Sequence, residues 1–212
     1  MNILKSGLKI FSSKVTASLL SFVAIVYFSR ELGPTQMGIF FLFETLLMMI
    51  SMLVDFGFSG ALEKRLSEVE KKDGYFTTAL LIKFSGILLT IPILLLLSDY
   101  IDDYLGASLI GFLIVAVFLF QIKNLIYSTL IGELRPGETA PLIIVEKCIW
   151  FLLGAILLFI LDVKAIILSL IIGYIASIFW GMLKINSSFR IPALDLLKSL
   201  FDYAKYNIIS SV

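Results

Sequence analysis

Two charged residues stand inside stretches that are otherwise apolar. Glu44 lies in the run from Gly38 to Val54, and Lys83 in the run from Tyr75 to Leu97. A charged side chain at the centre of a membrane helix costs roughly 2.5–3.5 kcal/mol to insert, so each needs a reason to be there. Such charges usually face a bundle interior or a wet cavity, where they pair, couple an ion or proton, or attract a charged ligand. Helical spacing extends each charge into a polar face. Glu44, Met48, Ser51 and Asp55 share one face of their run, and Ala79, Lys83, Gly86 and Thr90 share one of theirs. Lys14, Ser18 and Ser21 do the same in the first apolar run, and Gln121, Asn124 and Ser128 near the inner end of the fourth. Glu146 and Lys147 add charge near the inner end of the fifth. Two readings stay open. Lys14, Lys83 and Lys147 are cavity cations, or Lys14 and Lys147 snorkel to the interface while Glu44 and Lys83 form a structural pair.

Catalytic chemistry lacks its usual parts. There is no His, which removes the commonest general base and metal ligand, and with them any Ser-His-Asp triad or HExxH site. The one Cys, Cys148, forms no internal disulfide and no metal motif. No metal, no cofactor and no enzymatic activity are expected. Asp55-Phe56-Gly57 matches the kinase metal-binding tripeptide, but no glycine-rich nucleotide loop or HRD accompanies it. A net charge of +1 supplies no basic surplus for nucleic acid.

The elements that must position these residues are membrane helices. The chain is 59% hydrophobic and 16% charged, with a mean hydropathy of +1.03. Soluble domains run at about 45–50% apolar and about 25% charged. A span needs about 20 mostly apolar residues. Six segments qualify: 10–29, 38–54, 75–97, 105–127, 141–161 and 165–183. Between the first two stands Arg30-Glu31-Leu32-Gly33-Pro34-Thr35-Gln36-Met37-Gly38, where Gly33 and Pro34 end one helix and Gly38 leaves room for the next. Glu133 to Gly137 reads as a loop between the fourth and fifth spans.

Of the 17 Lys and Arg, only Arg30 and Lys164 fall on one side of the membrane outside the spans. The other side carries Lys5, Lys9, Lys14, Lys64, Arg65, Lys71, Lys72, Lys123, Arg135, Lys184, Arg190, Lys198 and Lys205. The positive-inside rule makes that side, and the N-terminus, cytoplasmic. The sequon at Asn186 is therefore expected to be silent.

Residues 1–185 are expected to form a six-helix lobe, and 186–205 a cytoplasmic linker. Within the linker, Leu194, Leu197, Phe201 and Ala204 recur at helical spacing, so an interfacial amphipathic helix is expected from Pro192 to Tyr206. A seventh span is expected to begin over 206–212, and the chain reads as a fragment ending there. Ile3-Leu4-Lys5-Ser6 is echoed by Leu196-Leu197-Lys198-Ser199, which fits a transporter of two related halves. In the sixth span Ala165, Ser169, Gly173, Ser177 and Gly181 form a small-residue ridge for close helix packing.

Arg30-Glu-Leu-Gly-Pro, Gly38-Ile-Phe and Asp55-Phe-Gly-Phe resemble the N-terminal half of polysaccharide flippases, the Wzx-type exporters of the multidrug/oligosaccharidyl-lipid/polysaccharide superfamily. The likeness is dense between Arg30 and Arg65 and covers the whole chain in topology. Arg30, Gly33, Pro34, Gly38 and Gly57 carry the motif. The resemblance implies one lobe of an all-α, MATE-like two-lobed transporter in the cell membrane, a monomer when full length. It would work by alternating access, with membrane lipid around it and Na+ or H+ as coupling ion. Its substrate would be an oligosaccharide on a polyprenyl diphosphate carrier, moved from the inner to the outer leaflet. Lys14, Lys83 and Lys147 would attract the diphosphate. Glu44 and Asp55 would couple the ion or pair with those lysines. The peptidoglycan-precursor branch is known for arginines within its first helix, where this sequence has Ser18 and Ser21. A multidrug or small-solute exporter of the same fold is the alternative.

Overall fold

The computed structural model describes residues 3–69, 73–185 and 194–210, with side chains described over 7–69, 73–185 and 195–204. Every regular element among them is helical. In order these are α1 (Ile3–Asp55), α2 (Phe58–Glu68), α3 (Tyr75–Leu96), α4 (Ser98–Leu105), α5 (Ile110–Gly132), a 3-10 turn (Pro136–Glu138), α6 (Thr139–Leu161), α7 (Val163–Met182) and α8 (Leu194–Ser210). Among the described residues five stretches are long and apolar enough to cross a membrane, and the chain is a multi-pass membrane protein.

The first of these stretches runs 49 residues, Gly7–Asp55. A straight helix of that length would reach roughly 70 Å, over twice the ~30 Å hydrocarbon core. It is broken at Gly33, whose φ of 75° and ψ of 174° lie outside the helical region. Pro34 then opens the second arm, where its fixed φ suits a first helical position and its missing N–H costs nothing. The two arms, 3–32 and 34–55, lie close together. Lys14 on the first arm and Lys147 on α6 line one hollow, and Glu44 on the second arm lies within electrostatic range of Lys147. On a straight helix Lys14 and Glu44 would stand roughly 45 Å apart. Phe28 and Phe40, one on each arm, both pack on Trp150, at ring distances of 5.5 and 5.9 Å.

Several boundaries differ from the sequence reading, for local reasons. Between the second and third expected spans lies α2, with Ala61, Leu62 and Leu66 buried. The fourth span begins at Ile110 rather than Leu105, because 98–105 is a helix of its own. Asp102 on that helix caps the next: its Oδ1 accepts from the backbone N–H groups of Leu109 at 2.8 Å and Ile110 at 3.0 Å. This is an N-terminal cap supplied from outside the helix it caps. The expected amphipathic helix and the first residues of the expected seventh span lie in α8, which is continuous from Leu194 to Ser210. The sequon, Lys71, Lys72, Arg190 and Pro192 lie outside the described residues.

α8 packs on α2. Phe58 and Phe201 meet edge to face at 4.8 Å, and the Arg65 guanidinium sits 4.0 Å over the Tyr203 ring. The Tyr203 hydroxyl donates to Glu68 at 3.4 Å. Leu200 and Ala204 are buried beneath this contact with Leu62 and Leu66. On the far side of the lobe α6 and α7 form a tight hairpin through Asp162. A Cβ placed on Gly173 would lie 2.9 Å from the Glu146 carbonyl oxygen, and one on Gly181 would overlap Ile126. Ser169 and Ser177 are buried on the same helix.

Gly33→Ala is expected to destabilise the full-length protein by about 1–3 kcal/mol, since that backbone region is nearly closed to residues with a Cβ. Denaturation in detergent measures it. Wild-type stability would show that the turn tolerates another geometry.

Candidate functional site

Lys83 enters the lobe from α3, on the third turn of that helix, and is 2% exposed. An ammonium has three N–H donors and no acceptor. Here all three are matched. Nζ donates to Oδ1 of Asp55, to Oγ of Ser59 at 3.0 Å and to Oε1 of Gln121 at 2.8 Å. The other side of the Gln121 amide donates to the Ser51 carbonyl at 2.6 Å. Ser59 Oγ lies 2.5 Å from Asp55 Oδ1 and donates to it. One cation thus joins the second arm of α1, α2, α3 and α5. The sequence reading left Glu44 and Asp55 both open as pairing partners for Lys83. The partner here is Asp55, about 16 Å of helix rise further along the same arm.

A second cluster forms between α5, α6 and α7. The sequence reading placed Lys123 at the cytoplasmic edge with the loop cations. It lies instead inside α5, roughly 14 Å of helix from Gly132. Lys123 Nζ donates to Glu146 Oε2 at 2.9 Å and stands 4.2 Å from the Tyr174 ring and 4.6 Å from that of Phe120. Aromatic faces attract a cation, more so where water is scarce. Lys147 approaches the other oxygen of Glu146, at 3.5 Å, and lies 5.1 Å from the Trp150 ring. Glu44 is half-buried and within electrostatic range of Lys147, Glu146 and Lys123. Gly173 brings α7 against the Glu146 backbone, which fixes the height of the carboxylate both lysines share.

Three contiguous hollows run along this face. One of 560 Å³ is lined by Lys14, Ser18, Ser21, Ile143 and Lys147. Lys14 is exposed and reaches this hollow. The next, of 260 Å³, shares Ile143 and adds Lys123, Asn124, Tyr127, Glu146 and Ser177. The third, of 330 Å³, shares Asn124 and Tyr127 and reaches Ser51, Asp55, Ser59 and Ser128. The polar faces read from Lys14, Glu44 and Gln121 therefore converge. Lys123, Tyr127 and Ser177 were missed as members of this face. Their signal was present: Lys123 is two residues from Gln121, inside the same apolar run.

The motif residues sit apart from the hollows. Arg30 is exposed near the end of the first arm. Gly57, with φ 80°, precedes the first turn of α2. A Cβ on Gly38 would meet nothing within 4 Å, so packing inside this chain does not demand glycine there. Among the described residues no cluster of three His, Cys, Asp or Glu is placed to hold a metal. The hollows offer cations, carboxylates, hydroxyls and an amide: groups that bind and release a polar ligand.

Residues 3–212 match the family model described as polysaccharide biosynthesis protein. The chain is similar to the probable low-salt glycan biosynthesis flippase Agl15 of Haloferax volcanii, 38% identical over 213 residues, covering 100% of this chain and 45% of the relative. It is also similar to the probable flippase AglR of the same organism, 26% identical over 212 residues, covering 95% of this chain and 43% of the relative. The chain thus spans less than half the length of these curated relatives. No solved structure matches it.

Two predictions follow from the charges. Lys83→Met leaves the Asp55 carboxylate without its cation and is expected to cost about 3 kcal/mol, near the low end for a broken buried pair because Asp55 is partly exposed. Adding Asp55→Asn should recover most of that loss in a double-mutant cycle on the full-length protein; additive losses would mean the two groups do not interact. Glu63, on α2 outside the spans, has its carboxyl pushed up from an ordinary value of 4.5 by burial and by the charge of Asp55, against a hydrogen bond from Ser128. A raised carboxyl stabilises the fold below its unfolded value and loses that contribution as pH rises through the folded one. Glu63→Gln should therefore melt higher than wild type near pH 7 and equal to it near pH 4. Parallel melting curves across that range would refute the assignment.

Proposed function

We infer, from the premise that the chain belongs to the polysaccharide biosynthesis protein family, that it forms one lobe of a transporter of lipid-linked oligosaccharide. The transporter moves its substrate from the cytoplasmic to the outer leaflet of the cell membrane during surface glycan synthesis. The observation that carries this reading is the row of hollows with Lys14, Lys147 and Lys123 along it. A diphosphate is expensive to bring into a medium of low dielectric, and charge-assisted contacts with ammonium groups offset that cost far better there than in water. A hydrophobic drug or small cation would have no use for three lysines on one face.

The parts take distinct roles in this proposal. With the N-terminus cytoplasmic, the hollows lie in the inner half of the membrane, where a substrate made inside would enter. Lys14 and Lys147 receive the diphosphate. Lys123 holds Glu146 between itself and Lys147, so the carboxylate does not compete freely for the ligand. Lys83 has its three donors taken in this conformation and joins the cationic path only when its link to Asp55 opens. Opening of that link, with Glu44 and Asp55 taking up H+ or Na+, is the coupling step. The full-length protein works as a monomer by alternating access of two lobes.

The test is complementation with the full-length gene in its host, in a strain without a second flippase. The deletion is expected to lose surface glycan and accumulate the lipid-linked precursor. Wild type restores the glycan. The Lys14→Ala/Lys147→Ala double variant, present in the membrane at wild-type level, restores less than about a tenth of it. Normal surface glycan in the deletion would sink the flippase reading; full rescue by the double variant would sink the cationic site.

A further inference from the structure

The two hollows that meet at Asn124 and Tyr127 add hydroxyl and amide groups to charges that are already paired, Lys123 with Glu146 at one and Lys83 with Asp55 at the other. Ser51 is 3% exposed and Ser177 is 1% exposed, and neither hydroxyl has a hydrogen-bond partner. Ser51 lines the hollow on one side of the Asn124–Tyr127 pair, and Ser177 lines the one on the other. In most helices a serine hydroxyl bonds back to a carbonyl one turn earlier. Ser169, on the same helix as Ser177, does so at 2.8 Å. A buried hydroxyl left unpaired costs stability with no return inside the fold. Asp55 is also under-used: its Oδ2 takes only a 3.4 Å contact from the Ser59 backbone N–H.

A lipid-linked glycan has three chemically distinct parts, and the flippase reading, on which this inference rests, brings all three to this face. The prenyl chain has no hydroxyl or amide to satisfy Ser51, Ser177 or Asn124. The diphosphate would find the nearest cations, Lys83 and Lys123, already held by Asp55 and Glu146. A free metal cation would be repelled by Lys83 and Lys123, which already hold those carboxylates. A sugar is neutral and bears several groups that both donate and accept. It also has C–H faces that pack on rings, which Phe120 and Tyr127 supply here. The hollow of 560 Å³ with Lys14 and Lys147 adjoins through Ile143, as a sugar adjoins its diphosphate.

We propose that the paired hollows around Asn124 and Tyr127 bind the carrier-proximal sugar, with Ser51, Ser177, Asn124 and Tyr127 reading its hydroxyls. These residues then set which glycan is accepted, while the lysines set that a phosphorylated lipid is accepted at all. Tyr127 and Asn124 belong to both hollows, so a change at either alters the fit on both sides of the ring.

The test uses full-length protein in detergent and two kinds of probe. One is bare farnesyl diphosphate. The other is farnesyl diphosphate carrying glucose, galactose or N-acetylglucosamine. Wild type is expected to bind at least one glycosylated probe about tenfold more tightly than the bare one. Ser51→Ala, Ser177→Ala, Asn124→Ala and Tyr127→Phe should each remove about fivefold of that advantage, the worth of one neutral hydrogen bond, and leave the bare probe unchanged. The two serine variants should melt at or above the wild-type temperature, because each deletes an unpaired buried group. Equal binding of every probe by wild type overturns the sugar site and leaves the cationic site standing. Variants that weaken both kinds of probe alike overturn it too, by revealing a structural role. A wild type that binds no prenyl diphosphate at all defeats the cationic site as well, so the two failures are told apart.

Discussion

An ammonium in hydrocarbon must be matched donor by donor, and the helices that meet at Lys83 are arranged around that demand. Its three partners come from three different elements, so no single helix can move without leaving a charge or an amide unpaired. Asp55 ends the long second arm, and Ser59 lies in the first turn of α2. The same contact therefore ties the end of the second arm to the start of α2. α2 in turn seats α8 through Phe58, Arg65 and Glu68. A buried charge is thereby connected to the segment through which the chain continues past the lobe. A buried pair of this kind is weak evidence for stability but well suited to specifying one arrangement, since its loss leaves an uncompensated charge.

The hollows depend on packing behind them. Small residues on α7 let it approach α6 until Gly173 touches the Glu146 carbonyl, and Gly181 lets it approach Ile126 on α5. Without a hydrophobic drive between helices in lipid, this close fit is a main source of association. It places Glu146 so that Lys123 reaches one oxygen and Lys147 the other. The aromatic rings of Phe120, Tyr174 and Trp150 close over those ammonium groups. Gly173, Gly181, Tyr174 and Trp150, which line none of the three hollows, thus help to place the charges that do.

Family membership and geometry meet at this face. The relatives are named as flippases, one of them for glycan biosynthesis, and this chain aligns along its whole length with less than half of each. A single lobe presents an open row of hollows rather than an enclosed cavity. A paired-repeat architecture closes such a row with a second lobe and lets it open to either leaflet. Lysines line two of the hollows, and hydroxyl and amide groups line the two that meet at Asn124 and Tyr127.

Composition and periodicity alone determined that the chain spans a membrane, roughly where, and which faces of the helices are polar. The break at Gly33 and Pro34 was legible because backbone restriction is a property of those two residues. The pairing of Lys83 was not. Helical phase puts Glu44 and Asp55 on one face equally well, and only the height at which α3 crosses the second arm selects Asp55. Lys123 was misplaced at the cytoplasmic edge because a lysine near the end of an apolar run reads alike whether it snorkels or pairs inward. α2 and α4 went unseen because short polar helices draw most of their stability from tertiary packing rather than from their own residues. One helix's residues decide its own axis and faces; the relative height and rotation of two helices exist only in the packed lobe, and those decided which charges meet.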